Sequence, residues 1–116
     1  MFDFAVAPDA TANTFTAGRV TLTGDCSSGA SDLVAQNASS QSAAFLGGFI
    51  NLAGSHSNPD EDFDSGDADT VGAGGSGSGT ASVDFADDVV TTIVFAYQDA
   101  GQTGNNCHYW GRVISG

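Results

Sequence analysis

Apolar and polar residues alternate along several short runs of the chain, and the longest such run is residues 82–98. Its sequence is SVDFADDVVTTIVFAYQ, in which β-branched and aromatic side chains recur at every second position. A period of two places these side chains on one face of a strand. Asp87 and Asp88 interrupt the run and predict a turn or bulge between two strands. The stretch is therefore the expected centre of a sheet, and nothing in it indicates catalysis.

Shorter runs of the same kind predict further strands. They are residues 2–7, 13–24, 43–53 and 107–114. At Gly18 the apolar phase shifts, which predicts a bulge within the second of these strands. Residues 30–42 are ambiguous, because Ser31 and Asp32 could cap a short helix there, and an irregular loop explains the sequence equally well.

The composition changes at residues 54–80, which are acidic first and rich in glycine and serine afterwards. Residues 72–79, GAGGSGSG, predict a flexible tract that cannot form a packed core. We expect the whole segment to be one long flexible loop between two strands. A loop of this length in a small domain usually has a function or is mobile.

These patterns predict an all-β chain with about six to eight short strands separated by turns. The composition agrees, because the 116 residues include 16 glycines, no lysine, one methionine and one glutamate. The expected fold is an antiparallel β-sandwich or a jelly-roll-like single domain that spans residues 1–116. Residues 1–8 would pair within their own sheet, or would act as an exchangeable strand that completes a neighbour's sheet.

The formal net charge of −12 arises from fourteen acidic residues against Arg19 and Arg112. Such a surface repels phosphate and anionic lipid, so we expect neither nucleic acid nor a membrane as a partner. No apolar stretch is long enough for a membrane span. The first residues lack the basic and apolar regions of a secretory signal, which favours assembly in the cytoplasm. An extracellular setting is the alternative, because it suits an acidic surface without lysine.

Cys26 and Cys107 are the two cysteines of the chain. A disulfide between them would close a loop of about 82 residues and contribute about 4–5 kcal/mol. Two buried free thiols are the alternative, since the sequence gives no sign of an oxidising compartment. Asn37 begins an Asn-Ala-Ser glycosylation sequon, which matters only if the protein is secreted.

The acidic segment contains one motif that resembles a metal site. Asp60, Asp62 and Asp64 alternate as in a calcium-binding loop, and Asp69 is a further candidate ligand. The match to an EF-hand loop is partial, because the glycine falls at Gly66 and no glutamate closes the loop. We therefore expect no resident cofactor, keep Ca²⁺ as the one exception to test, and take a solvated acidic loop as the simpler interpretation.

No residue combination predicts catalytic chemistry. His56 and His108 can be combined with several serines and aspartates, but nothing in the sequence resembles a nucleophile elbow. Cys107 and His108 are adjacent, so on a strand they point to opposite faces. The cysteines and histidines also lack the short spacings of zinc ligands. We therefore expect no enzymatic activity and assign no catalytic residues.

Trp110 and Arg112 are two positions apart in the last predicted strand and therefore share a face. Both residue types are enriched at protein interfaces, so they form a candidate contact patch. An aromatic platform for carbohydrate is the alternative. The other candidate interface is the N-terminal strand, with Phe2, Phe4 and Val6 on one side.

The run NTFTAGRVTL, residues 13–22, resembles the opening of camelysin/TasA-type matrix-fibre subunits. In that family a similar N-x-F-x-A-G-x-hydrophobic pattern starts the first sandwich strand. The resemblance implies a jelly-roll subunit that polymerises when the N-terminal strand of one subunit completes the sheet of its neighbour. Residues 2–7 would then be the donor strand, and the protein would be an extracellular fibre subunit.

The composition and predicted architecture are similar in style to capsid decoration proteins and other accessory proteins of tailed phages. That similarity implies a non-enzymatic structural subunit that binds a protein lattice, self-associates, and is located on a virion. We take a virion accessory protein as the first hypothesis. The fibre subunit is the second, and a Ca²⁺- or carbohydrate-binding module is the third.

Overall fold

A computed structural model shows ten β-strands in two antiparallel sheets, and it describes the side chains of residues 1–101 and 104–116. The strands are β1 (Phe2–Val6), β2 (Asn13–Ala17), β3 (Val20–Ser27), β4 (Ala30–Asn37), β5 (Ala43–Asn51), β6 (Gly54–Asp60), β7 (Ala68–Ala73), β8 (Gly77–Phe85), β9 (Val90–Thr103) and β10 (Asn106–Ser115). The larger sheet has the order β1-β10-β9-β8-β5-β6, and the smaller has the order β2-β3-β4-β7. The predicted all-β sandwich is confirmed. Strands β2 to β4 and β8 to β10 form meanders within it, and the pairs β1 with β10, β5 with β8 and β4 with β7 join strands that are distant in sequence.

The predicted central hairpin is β8 with β9, and alternate side chains from it fill the middle of the core. These are Val83, Phe85, Ile93, Phe95 and Tyr97, each at most 3% exposed. Asp87 and Asp88 lie in the turn between the strands, and Asp88 adopts a positive φ of 67°. The predicted alternation and the predicted turn are both confirmed.

Two tyrosines of the larger sheet cross the core and hydrogen-bond to the backbone of the smaller sheet. The hydroxyl of Tyr97 donates to the carbonyl of Ala73 at 3.1 Å. The hydroxyl of Tyr109 donates to the carbonyl of Asp25 and accepts from the amide of Asp32 at 2.9 Å. Burial, as the main cause, raises the pKa of Tyr109 to about 12. These bonds fix how the two sheets face each other.

The smaller sheet makes room for both tyrosine rings with glycines. Gly24, Leu33 and Gly72 are register partners on three adjacent strands, so Leu33 stands between two positions without side chains. A Cβ at Gly24 would lie 2.6 Å from the ring of Tyr109, and one at Gly72 would lie 2.4 Å from the ring of Tyr97. Both glycines are therefore required by the close approach of the rings and not by a turn.

A disulfide joins Cys26 of β3 to Cys107 of β10 and so links the two sheets. Both residues are fully buried, and their Cα atoms are 5.7 Å apart. Of the two alternatives that the sequence left open, the structure contains the disulfide. It lies beneath the connection from β1 to β2, because Val6 is the register partner of Cys107 and the amide of Asp9 donates to the carbonyl of Cys26.

The predicted strand over residues 13–24 is instead a hairpin. β2 and β3 pair with Ala17 opposite Val20, and Gly18 and Arg19 form the two-residue turn with φ values of 56° and 69°. The predicted bulge at Gly18 is therefore wrong. The phase shift in the apolar pattern marked a reversal of the chain, which a two-residue loop with positive φ produces.

Residues 30–42, predicted as a short helix or irregular loop, contain β4. Ser31, Leu33, Ala35 and Asn37 of this strand point inward and are nearly fully buried. The prediction was wrong because half of the inward positions are polar, so hydrophobic alternation is hidden. Tertiary hydrogen bonds satisfy them, as where the hydroxyl of Ser31 donates to the Asp99 carboxylate at 2.6 Å.

The predicted long loop over residues 54–80 is also wrong, because it contains β6, β7 and the start of β8. Its glycines serve close packing of strands as well as turns. A Cβ at Gly79 of β8 would lie 2.1 Å from the carbonyl oxygen of Gly48 in β5. Residues 61–67 and 74–76 remain outside the strands, and Phe63 anchors the longer of these two connections with a fully buried ring 5.1 Å from that of Phe45.

Candidate interaction surface

The side of the six-stranded sheet that points away from the smaller sheet carries most of the large apolar side chains that reach solvent. Eight such residues are exposed in the described part of the chain, and six lie on this side: Leu46, Ile50, Val90, Val94, Trp110 and Ile114. They occupy even-numbered positions of β5, β9 and β10, whose odd-numbered neighbours face the core. We call this surface the apolar face. Single exposed apolar residues are ordinary, whereas a shared patch marks a contact surface.

Strand register arranges the apolar face in rows across the sheet. One row contains Ile50, Ser78, Ala96, Trp110 and Asp3. The next row contains Gly48, Thr80, Val94 and Arg112. Because β8 contributes only small side chains to these rows, a shallow trough separates the large residues of β5 from those of β9 and β10.

Charge is sparse on the apolar face. Its strands carry Asp3, Asp84 and Arg112 there, in a chain with a net charge of −12. The other arginine, Arg19, is engaged elsewhere, because its guanidinium lies 2.8 Å from the Asp87 carboxylate. This contact raises the pKa of Arg19 and lowers that of Asp87. Glu61 borders the face beside Leu46 and Asp84, so the apolar face carries a small part of the acidic charge and most of that charge lies on other parts of the surface.

The predicted contact patch of Trp110 and Arg112 lies on the apolar face. Both side chains are exposed, Trp110 by 39%, and both point the same way from β10. With Met1 and Asp3 they border a shallow pocket at the edge of the sheet. The shared face is confirmed, while the function of the patch in binding protein or carbohydrate stays a prediction.

The predicted interface residues of the N-terminal strand are placed differently. β1 pairs with β10 of its own chain, and Phe2 and Val6 are each only 3% exposed. Of the two alternatives that the sequence left open for residues 1–8, the structure contains the pairing within their own sheet, and an interface role through strand exchange stays a prediction. Phe4 lies between Phe2 and Val6 and is half-buried, with its ring 5.3 Å from that of Tyr109.

Leu46 and Ile50 were not identified from the sequence as surface residues, although a strand was predicted over residues 43–53. The alternation that signals a strand also contained the information needed to place them. Once Phe45 is assigned to the core, residues 46, 48 and 50 must point outward. The two consecutive glycines at 47 and 48 obscured this phase, because neither has a side chain that marks a face.

The four candidate calcium ligands lie where β6 leads to β7, which we call the acidic corner (residues 60–69). Asp60 ends β6, Asp69 lies in β7, and Asp62 and Asp64 belong to the connecting loop. Six of the fourteen acidic residues of the chain fall within this segment. The corner is therefore the most acidic part of the molecule.

The structure arranges these aspartates as two pairs. Burial, as the main cause, together with the interaction with Asp60 of the other sheet raises the pKa of Asp69 to about 6, and the same interaction lowers the pKa of Asp60. Within the loop, a bond to Asp64 and its charge raise the pKa of Asp62. A proton held between paired carboxylates relieves part of their repulsion.

No group of three or more acidic, histidine or cysteine side chains is gathered for a metal ion in the described part of the chain. Calcium prefers six to eight oxygen ligands, which two separated pairs do not supply. Calcium binding stays a prediction, and a change in melting temperature on addition of EDTA is its test.

The two cysteines are bonded to each other, and each histidine has a different environment. His56 stacks on Phe49 and lies 3.0 Å from the side-chain oxygen of Asn51. His108 sits on the opposite face of β10 from Cys107, as predicted. Because Cys107 is oxidised to a disulfide, it provides neither a nucleophilic thiolate nor a zinc ligand.

The sequon asparagine is structural in the folded chain. Asn37 is 1% exposed, and its side-chain amide donates to the carbonyls of Gln41 and Phe63 at 2.8 and 2.9 Å. Its side-chain oxygen accepts from the amide and hydroxyl of Ser39. The folded protein therefore does not present this residue for glycosylation.

Comparison of the chain with protein-family models, with curated proteins and with solved structures finds no match. In the described residues no helix is long and apolar enough to cross a membrane. Function must therefore be argued from the surfaces of the molecule.

Proposed function

We propose that this chain is a non-enzymatic structural subunit that attaches to a protein lattice through its apolar face. The observation that carries the proposal is that six exposed large apolar side chains share one side of one sheet, in a chain of net charge −12. Most of that charge lies elsewhere, so docking through this face brings few carboxylates into contact. Low charge with exposed aromatic and aliphatic residues is typical of the centre of protein interfaces.

The size of the face favours a lattice over an isolated partner. Six strands about 4.8 Å apart, with about five residues each, give a surface of roughly 400 Å². A stable complex of two proteins buries about 800 Å² on each partner. A single contact through the apolar face is therefore weak, and a lattice supplies the further contacts that hold each subunit in place.

A virion accessory subunit of the capsid decoration type is the class that we favour. Such a subunit needs one attachment face and a surface that stays in water, and the apolar face and the acidic remainder supply these two parts. The disulfide between the sheets suits a particle that persists outside the cell. The proposed partners are a lattice protein and further copies of the chain, without nucleic acid or membrane.

Imaging of the native assembly, combined with one pair of variants, tests this proposal. Val94→Asp places a charge in the centre of the apolar face, where Val94 is 43% exposed. Thr23→Asp places the same charge on the outer side of the smaller sheet. We expect the first variant to be lost from assemblies while the second is incorporated normally, with similar melting temperatures for both. Equal incorporation, or an assembly that leaves the apolar face in solvent, would contradict the proposal.

A second candidate function is a fibre subunit that assembles by exchange of the N-terminal strand. The observation in its favour is that β1 is a five-residue edge strand at the end of the chain, with Phe2 and Val6 already inserted into a core. Deletion of residues 1–8 should then leave monomers that regain solubility on addition of a peptide of the same sequence. Polymers that survive the deletion would exclude this mode.

A further inference from the structure

The sandwich has four strand edges, and three of them carry features that hinder pairing with another chain. The edge of β7 is covered, because side chains of Asn58 and Asn51 donate to the carbonyls of Thr70 and Ala73 at 2.9 and 2.8 Å. The edge strand β6 contains Pro59, which has no amide to donate. In β2 the amide of Thr14 is bonded by the side chain of Asn13. Natural edge strands are commonly protected in such ways.

The edge of β1 carries none of these features. Its sequence, FDFAV, contains no proline, and no side-chain hydrogen bond in the described part of the chain reaches its backbone. Because β1 pairs with β10 on one side only, alternate residues direct their amide and carbonyl groups away from the sheet. These groups are available to another strand.

We propose that β1 pairs antiparallel with β1 of a second copy about a two-fold axis at Phe4, joining two six-stranded sheets into one. In this register Phe2 faces Val6 of the second copy, Asp3 faces Ala5, and Phe4 faces Phe4. Apolar side chains then meet on the inner side of the joined sheet. On its outer side neither copy of Asp3 stands directly opposite the other, so the pairing is self-complementary.

The distribution of charge selects this edge. The acidic corner lies beside β6, at the far side of the larger sheet from β1. Five strand intervals of about 4.8 Å separate the two edges by roughly 24 Å, well beyond the screening length of about 8 Å in physiological salt. Pairing through β6 would place both acidic corners along the joined edge, whereas pairing through β1 keeps them at opposite ends of the dimer.

Two further features agree with a second copy as the occupant. Phe4 is the inward residue of β1 that remains half-buried, and the contact with its own copy would cover it. The joined sheet also makes the two apolar faces continuous. That doubles the surface to roughly 800 Å², the size that a stable contact with a partner requires. The inference goes beyond the proposed attachment, because it concerns the edge of the sheet and not its face.

Opposite charges at Ala5 test the register. Ala5 is exposed, so Ala5→Asp and Ala5→Lys leave the core intact. Ala5→Asp sets one carboxylate opposite Asp3 in each half of the dimer, and Ala5→Lys sets an ammonium there. We expect dimer dissociation constants, measured by sedimentation equilibrium, to differ on the order of tenfold, with the Lys variant tighter. The double variant Asp3→Lys with Ala5→Asp should return the affinity toward that of the Lys variant.

Matched variants at Ser57, on the exposed edge strand β6, serve as the control and should leave the dissociation constant unchanged. A chain that stays monomeric at millimolar concentration would overturn the proposal, as would equal affinities of the two Ala5 variants. Val94→Asp should leave this dimer intact while it abolishes attachment to the lattice. Loss of the dimer in Val94→Asp together with insensitivity to charge at Ala5 would assign dimerisation to the apolar face instead.

Discussion

The two corners at which the sheets of this sandwich meet are held together by different means. At the corner formed by β1 and β2, a disulfide and an aromatic cluster fasten the sheets, and the strand edges have few side-chain partners. Along β7, at and beyond the acidic corner, side-chain amides of β5 and β6 bond to the backbone across the sheets, and the carboxyl groups of Asp60 and Asp69 interact. At the first corner a covalent bond joins the sheets, but the edge of β1 is available to another strand. At the second corner only non-covalent contacts join the sheets, but side-chain amides cover the edge of β7.

This difference shows that stability and protection of an edge are separate properties of a β-sandwich. The amides that cover β7 contribute only a few hydrogen bonds, but they remove the carbonyls that a foreign strand would use. The disulfide contributes far more to stability and does nothing to cover β1. The strongest part of the subunit can therefore also be its site of association.

Among variants that compare the two corners, removal of the disulfide should lower the unfolding free energy most. The double variant Cys26→Ala with Cys107→Ala should lose about 4–5 kcal/mol of unfolding free energy, because the unfolded chain is no longer restrained by a long loop. Denaturant titration measures the loss, and reduction of the wild type should reproduce it. Hydrogen exchange in the variant should rise more in β1 and β2 than in β6 and β7. An unchanged denaturation midpoint would show that the first corner does not depend on the disulfide.

Gly24→Ala should have the next largest effect. Its Cβ would lie 2.6 Å from the ring of Tyr109 and 2.7 Å from that of Phe4, so both rings must shift. We expect a loss of about 1–3 kcal/mol, typical of an overpacked core. Gly72→Ala makes the same change beneath Tyr97. A similar loss of unfolding free energy would show that the core is packed as closely around Tyr97 as around Tyr109.

Gly48→Ala is the control for these glycine variants. A Cβ there would meet the nearest carbonyl oxygen at an ordinary 3.6 Å. We expect its melting temperature to stay close to that of the wild type. A large loss in this variant would mean that glycine itself, and not the space beneath the tyrosine rings, is what the strands require.

Sequence alone sufficed for the parts of the fold in which side chains alternate clearly. The central hairpin follows from Phe85, Ile93 and Phe95, and its turn follows from Asp87 and Asp88. In these positions local preference and burial agree, which makes the prediction reliable. The shared face of Trp110 and Arg112 was predictable for the same reason.

The rest was not predictable, because the deciding partners are distant in sequence. In the sequence Ser31 resembles a helix cap, but in the structure it is buried and its hydroxyl donates to Asp99 on another strand. Gly79 reads as part of a flexible tract but is required by the nearby backbone of Gly48. The apolar face is likewise a property of the sheet, since Leu46 and Trp110 share it only once strand order is known.

Loss of one covering amide should have a moderate effect at the acidic corner. Asn58→Ala removes the bond to the carbonyl of Thr70 at 2.9 Å, and we expect a loss of about 1 kcal/mol. The exposed carbonyl should also make β7 a site of chain association, which sedimentation velocity would detect. Asn13→Ala is the matched change at the other corner, where the side-chain oxygen of Asn13 accepts only from the backbone amide of its neighbour Thr14. If both variants behave alike, the two corners do not differ in protection.

The smallest effect concerns pH at the same corner. The pKa of Asp69 is raised to about 6, mainly by burial, so the folded chain holds this proton more tightly than the unfolded chain, whose carboxyl has a pKa near 3.8. Its contribution to stability is fully present below the unfolded value and is lost as pH rises through about 6. The pKa of Asp60 is lowered, so its contribution to stability is present above the unfolded value and is lost only as pH falls into the more acidic range.

Asp69→Asn replaces the carboxyl group with an amide that does not titrate, so the variant should show a weaker dependence of stability on pH. The wild type should melt at a lower temperature at pH 7 than at pH 5, and the variant should show a smaller difference. Asp3→Asn removes one charge at the other corner, and its melting temperature should change with pH as that of the wild type does. Equal slopes in Asp69→Asn and the wild type would mean that the carboxylate pair does not hold β6 and β7 together, and that the amides alone cover this edge.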